Sequence, residues 1–241
     1  MRVVLLIVLL LGVVLGYSTF SDVTKIYSGG GLNYSVYTGF VEIDIAEDQK
    51  ARCSMFYQYV TKEGESLTNH SSDSPVLIWL NGGPGSSSQL GSWAEVGPFY
   101  LNQSKVEERV ERWNKLAHLI FLDQPVSNVG LSFCRESNYI VKDTPKASEH
   151  FMQFVRKVLM NTTGELSSLV ENPFFLLGES FGGHYAPYFA NAILEGTNIS
   201  LKGVVLADAW VNPSMQMMNY DSVMASAGII SSNLKGRMVG Y

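Results

Sequence analysis

The stretch Phe174-Phe175-Leu176-Leu177-Gly178-Glu179-Ser180-Phe181-Gly182 decides how this chain is read. Four consecutive apolar residues have the length and continuity of a strand buried on both faces. A G-x-S-x-G pattern follows without a gap, and Tyr185 to Leu194 then has helical character. Strand, tight turn and helix form the context in which this pattern makes a nucleophile elbow instead of an incidental Gly/Ser turn. The glycines flank Ser180 because so sharp a turn leaves no room for side chains. The turn lifts the Ser180 hydroxyl out of the sheet, at the positive N-terminal end of the next helix.

The rest of the chain repeats the alternation. Val76-Leu77-Ile78-Trp79-Leu80, Leu119-Ile120-Phe121-Leu122 and Val204-Val205-Leu206-Ala207 are further apolar runs of strand length. Between them, Thr144 to Met160 places Ala147, Phe151, Phe154, Val155, Val158 and Leu159 at helical spacing. Upstream, Tyr37 to Ile45 and Ser54 to Val60 are two β-rich runs in succession, which predict an antiparallel start. Buried strands separated by helices predict an α/β class with a mostly parallel central sheet and helices on both faces. No internal repeat or low-complexity tract interrupts it.

A second motif sits at the end of the strand closing with Trp79-Leu80. It reads Asn81-Gly82-Gly83-Pro84-Gly85-Ser86-Ser87-Ser88. Glycines without Cβ let the backbone come close to a ligand. Backbone N–H groups in such a loop, with the N–H of the residue after the nucleophile, stabilise an oxyanion. A phosphate-cradling loop of the Walker type is excluded, because no Gly-Lys-Ser/Thr follows.

Together, WLNGGPGSSS and LLGESFGGHYAP resemble the serine carboxypeptidase family, whose members have the α/β-hydrolase fold. Glu95-Val96-Gly97-Pro98-Phe99, and Trp113-Asn114 leading to Asp123-Gln124-Pro125, match it as well. The resemblance runs from about Tyr37 to the end of the chain. It implies Ser180 as the acylated nucleophile and Gly83 and Phe181 as donors of the oxyanion-hole N–H groups. It implies that Asn81, Gly82, Glu95 and Glu179 hold the free carboxylate of a peptide C-terminus. Like charges a few ångströms apart cannot all stay ionised, so a carboxylate bound beside two glutamates requires a shared proton. The implied reaction removes C-terminal residues through an acyl-enzyme, with peptide or protein C-termini as substrate and no cofactor. Two rivals stand beside it. One is an acyltransferase on the same fold; the other is a truncated, catalytically silent binding protein.

The sequence departs from the family pattern at several points. Ser86 stands where most members have cysteine. The segment Pro125 to Phe133 is one residue longer than the usual spacing, and Leu206-Ala207-Asp208-Ala209-Trp210 replaces a Gly-Asn-Gly. The fold's triad runs Ser, acid, His along the chain. After Ser180 the sequence offers only His184, inside the elbow helix, where its spacing reads as packing. His70, His118 and His150 precede the serine. Asp208 and Asp221 follow it with no later histidine to orient. Residues 19–241 are therefore expected to be a partial hydrolase domain, incomplete on its C-terminal side. An apolar sheet edge would be left uncovered and the isolated chain would be inactive or poorly soluble.

Composition narrows the setting. Of 241 residues, 46% are hydrophobic and 16% charged, which excludes a disordered or collagen-like chain. Seventeen basic against 22 acidic residues, with no basic patch, argue against nucleic acid as a partner. The absence of CxxC and HExxH argues against a metal site. Arg2 precedes an apolar run from Val3 to Gly16 that spans only about 21 Å as a helix, too short to cross a membrane. Residues 1–18 read as a secretory signal peptide, with no stable membrane span in the mature chain and a destination outside the cell or in a vacuole or lysosome. Five N-x-S/T sequons, at Asn33, Asn69, Asn102, Asn161 and Asn198, are then candidate glycan acceptors. Cys53 and Cys134 have three states open to them: paired together, paired with another chain, or free.

Overall fold

The computed structural model describes residues 20–23, 31–46, 51–103, 105–127, 129–135 and 139–238. Residues 1–18, read from the sequence as a signal peptide, lie outside them. The chain divides into two units, Met1–Ala209 and Trp210–Tyr241. The second unit contributes three short helices, α3 (Pro213–Met217), α4 (Tyr220–Ser226) and α5 (Ser232–Met238).

Among the described residues the first unit is built on a mixed eight-stranded sheet. Its path runs β1 (Ser21–Asp22), β2 (Val36–Ile43), β3 (Arg52–Val60), β7 (His118–Leu122), β4 (Val76–Leu80), β9 (Phe174–Glu179), β10 (Leu201–Ala207), with β8 (Phe133–Arg135) paired to β3. The strands β7, β4, β9 and β10 are parallel neighbours. The antiparallel start is present as β2 against β3, in register from Val36↔Val60 to Ile43↔Cys53. A separate hairpin, β5 (Phe99–Asn102) and β6 (Lys105–Glu108), was not legible as strands because its residues are largely exposed and lack an apolar run.

The continuous apolar runs are explained by two cores, one on each face. Val76, Ile78 and Leu80 of β4 and Ile120 and Leu122 of β7 join the core that contains Phe151, Phe154, Tyr185, Phe189 and Ile193. Leu77 and Trp79 of β4, and Leu119 and Phe121 of β7, join the other, with Val96 and Phe99. Alternate residues of one strand thus pack on opposite sides, as a strand buried on both faces requires. Helices α1 (Thr144–Phe154, continued as a π-helix over Val155–Met160) and α2 (Gly182–Gly196) both lie in the first core. The second face is covered by the hairpin and by the turns carrying Val96 and Trp113.

Cys53 and Cys134 form a disulfide and stand directly opposite each other in the β3–β8 ladder. With a sequence separation of 81, the loop-entropy account assigns the bridge roughly 4–5 kcal/mol. Among the described residues no helix is long and apolar enough to cross a membrane.

A polar network is buried where β7 begins. The Lys62 N–H donates to His118 Nδ1 at 3.0 Å, and the Tyr59 hydroxyl lies 2.9 Å from the same nitrogen. Nδ1 is therefore an acceptor, and Nε2–H donates to Glu65 Oε2 at 3.0 Å. The ring is neutral: burial pulls His118 down to about 4, outweighing the pull of Glu65 in the other direction. Burial also opposes the Glu65 charge, but hydrogen bonds from Ser74 and Lys62 win and hold it at about 2. A histidine depressed in the fold contributes stability that is complete above its unfolded value and is lost as pH falls through the folded one. The window runs from about 6.5 down to about 4. We expect the stability difference between the natural chain and His118→Gln to shrink by about 2–3 kcal/mol between pH 7 and pH 4, read from urea melts. A difference independent of pH would show that the fold does not shift the titration of this ring, and a difference that grows on acidification would show a protonated ring.

Candidate active site

Four parallel strands end at one pole of the sheet, and the candidate residues leave from neighbouring ends. Asn81 follows β4 and Ser180 follows β9, the two strands between which the chain order reverses. That is where ligand sites of such sheets form.

Ser180 has φ +56°, the left-handed conformation of a tight elbow. Its N–H donates to Ala207 O at 3.1 Å, and its carbonyl accepts from Gly183 N at 3.0 Å. Both flanking glycines are sterically required. A Cβ on Gly178 would lie 2.1 Å from Gly182 O, and one on Gly182 would lie 2.5 Å from Leu80 O. The side chain of Ser180 is half-buried at this pole.

The glycine-rich loop packs directly on the elbow. A Cβ on Gly82 would stand 2.3 Å from Phe181 N and 2.7 Å from Glu179 O. Gly83 has φ +108°, and the loop closes with Ser86 N donating to Gly82 O at 2.9 Å. Gly82, separated from Ser180 by almost a hundred residues, is thus brought against the backbone that follows it. Ser86, where a cysteine was expected from the resemblance, simply continues this turn. Next to Phe181 a cavity of about 250 Å³ is lined by Pro84, Pro125, Val129, Val141 and Tyr185.

Asn81 is 2% exposed and its amide is used on both sides. Its Oδ1 accepts from Trp79 Nε1 at 2.8 Å and from Gly91 N at 3.0 Å. That fixes the orientation of the amide, whose Nδ2 donates to Glu179 Oε2 at 3.0 Å and Glu95 Oε1 at 3.2 Å. The Gly82 N–H also points to Glu179 Oε2, at 3.4 Å. Two carboxyl groups from distant segments therefore share one amide. Glu95 closes the π-turn Gly91–Glu95 and is exposed; Glu179 is half-buried at the end of β9. All seven residues singled out in the sequence (Asn81, Gly82, Gly83, Glu95, Glu179, Ser180 and Phe181) fall at this pole. The His184 ring lies tilted against that of Phe181, with centroids 4.6 Å apart.

Sequence reasoning missed Asp123. Fully buried after β7, its Oδ1 accepts from Ser87 Oγ and Ser88 N, each at 2.8 Å, and its Oδ2 accepts from Leu131 N at 2.8 Å. Its own carbonyl accepts from Ser132 Oγ at 2.6 Å, and Ser132 Oγ accepts from Phe56 N. The carboxylate ties the glycine loop to the segment that leads into β8. Gly130, at φ +57°, has no room for more: a Cβ there would lie 2.1 Å from Asp123 Oδ2. Burial pushes the Asp123 carboxyl up to about 6, against the hydrogen bonds that favour its charge. The signal in the sequence was a charged residue ending an apolar strand just before Gln124-Pro125.

A family profile described as serine carboxypeptidase matches residues 28–239, and the chain belongs to that family. The vitellogenic carboxypeptidase of Aedes aegypti is 30% identical over 201 residues, covering 82% of this chain and 40% of that protein. The pheromone-processing carboxypeptidase KEX1 of Candida glabrata is 32% identical over 184 residues, covering 73% of this chain and 24% of the relative. The crystal structure of KEX1(delta)p, a prohormone-processing carboxypeptidase from Saccharomyces cerevisiae, superposes with a TM-score of 0.69 at 28% identity. It covers 82% of this chain and 43% of that one. The chain thus spans less than half the length of these relatives.

Asp123→Ala leaves the buried Ser88 N–H and the half-buried Leu131 N–H without an acceptor, and each orphaned donor costs about 1–3 kcal/mol. We expect a total loss of about 3–5 kcal/mol in urea unfolding, against about 1 kcal/mol for Ser87→Ala. Equal losses for the two would mean that the carboxylate does not hold the loop.

Proposed function

We propose that this site belongs to a serine carboxypeptidase that removes residues from peptide C-termini. The carrying observation is the Asn81 amide held between Glu95 and Glu179, one loop residue from the Gly82–Gly83 corner. A peptide's terminal carboxylate fits beside Asn81, Glu179, Glu95 and the Gly82 N–H. The scissile carbonyl then faces Ser180, with its oxygen toward the Gly83 and Phe181 N–H groups. Attack by Ser180 Oγ on the carbonyl carbon and rupture of the C–N bond release the last residue and leave an acyl ester for water. Without a general base the hydroxyl is a weak nucleophile. An oxyanion hole alone retains about 10³-fold catalysis over water. The acid and histidine of a triad are not supplied in fold order by residues 181–241, where His184 is the single histidine.

A secretory route fits this reading. The leader-like residues 1–18, the Cys53–Cys134 bridge and five exposed sequon asparagines support it. The products discriminate between peptidase and acyltransferase: free amino acid for one, ester for the other.

A third carboxylate beside Glu95 and Glu179 requires a proton shared among the three, so binding takes up a proton. We expect an N-acylated dipeptide to bind the chain more tightly at pH 5 than at pH 7, approaching tenfold per pH unit where a full proton is taken up. Its C-terminal amide should bind weakly at both values, and Glu179→Gln should flatten the dependence. Titration calorimetry reads this without turnover. Equal affinity for acid and amide would overturn the assignment.

A further inference from the structure

We propose that the pole of the sheet opposite Ser180 is a glycan-bearing face, with N-linked oligosaccharide on Asn33, Asn69, Asn161 and Asn198. The inference deepens the secretory reading above and depends on it.

Topology carries the placement. Ser180, Asn81 and Asp123 leave the C-terminal ends of β9, β4 and β7. The four asparagines all lie at the other ends. Asn198 stands three residues before β10 begins at Leu201. Asn161 caps the helical segment that ends at Met160, ahead of the return into β9 at Phe174. Asn69 is in the loop between β3 and β4, whose Leu67 carbonyl accepts from Ser168 Oγ, so it shares a surface with the segment after Asn161. Asn33 precedes β2, where Val36 pairs with Val60, and its carbonyl accepts from Gly64 N at 2.8 Å. One strand length separates the two poles, about 20 Å for the six residues of β9.

All four asparagines are exposed. At Asn161 the sequon forms a local turn in the fold, with Thr163 Oγ1 and Thr163 N each 3.1 Å from Asn161 Oδ1. The co-substrate is an oligosaccharide on a lipid diphosphate. The asparagine amide nitrogen forms a bond to C1 of the sugar, the C1–O bond to phosphate breaks, and the lipid diphosphate leaves as the amide gives up one proton. Asn102 is outside the proposal; it lies in the β5–β6 hairpin, and its sequon partner Ser104 is not among the described residues. Sugar on this pole hydrates a protein with only 16% charged residues and leaves the approach to Ser180 clear.

The test expresses the full chain in a eukaryotic secretory host in two forms. One keeps residues 1–18; the other has the host's own cleavable leader in their place. Total lysate is treated with peptide N-glycosidase in heavy-oxygen water, which marks every occupied asparagine as labelled aspartate, and the sites are mapped by mass. Transfer precedes folding, so the reading does not depend on a folded product. We expect at least three of the four sites occupied in the second form. Ser35→Ala, Ser71→Ala, Thr163→Ala and Ser200→Ala should each remove one glycan while leaving its asparagine in place. Occupancy at two sites or fewer overturns the glycan-bearing pole. Occupancy in the second form alone overturns the leader reading and supports the pole.

Discussion

The Gly82 corner lies so close to the amide of Phe181 that no side chain fits between them. The rest of the site depends on that approach. It fuses the end of β4 to the start of α2, two places far apart in sequence, and it does so through backbone. Once the corner is fixed there, Asn81 has little freedom, because its amide must meet Trp79 on one side and Glu179 on the other. The proposed oxyanion donors and the proposed carboxylate-binding groups are thus aspects of one packing solution. A glycine at each contact is the cost of bringing peptide groups that close.

A contact of this kind needs support from behind, and Asp123 provides it. A buried carboxylate is expensive unless its lone pairs are filled. Here three donors from two loops fill them, so the desolvation penalty is turned into a constraint on both loops at once. The second loop continues into β8, which Cys134 bonds covalently to β3. The glycine loop therefore leans on Asp123, Asp123 on the Leu131–Ser132 turn, and that turn on a disulfide-tied strand. Asp123 and His118 occupy opposite ends of β7 and respond to acid in opposite senses. The raised carboxyl stabilises the fold below about pH 4 and loses that contribution as pH rises through 6, while the histidine does the reverse. Their windows overlap, which flattens the net dependence in the acidic range where a carboxylate substrate would bind best.

Much of this was legible in the sequence, for reasons that can be stated. Apolar runs such as Val76–Leu80 announce strands because both faces of the sheet are buried, and G-x-S-x-G announces an elbow because sterics permit little else there. The hairpin Phe99–Glu108 was not legible, since an exposed ribbon carries no burial pattern. The disulfide was open because strand register, not sequence spacing, brings Cys53 opposite Cys134. Asp123 was missed for a related reason: its partners are two backbone amides and a serine, groups that any loop contains. Of the helices expected over the sheet, α1 and α2 share one face. Periodicity shows that a helix is amphipathic but not which side of a sheet it will cover.

The far edge of the sheet bears on the chemistry as well as on stability. β10 is the last strand on the path, and it exposes Val204, Val205 and Leu206 by 38%, 42% and 46%. Yet the carbonyl of Ala207, its final residue, is the acceptor that holds the Ser180 N–H. The elbow is thus clamped on one side by the buried β4 and on the other by a strand with one partner. Edge strands open at lower free energy than central ones. Fraying of β10 at Ala207 would remove the acceptor of the Ser180 N–H and loosen its left-handed conformation. A partner on that edge would do more than hide apolar surface: by holding β10 in the sheet, it would keep Ser180 in its left-handed conformation.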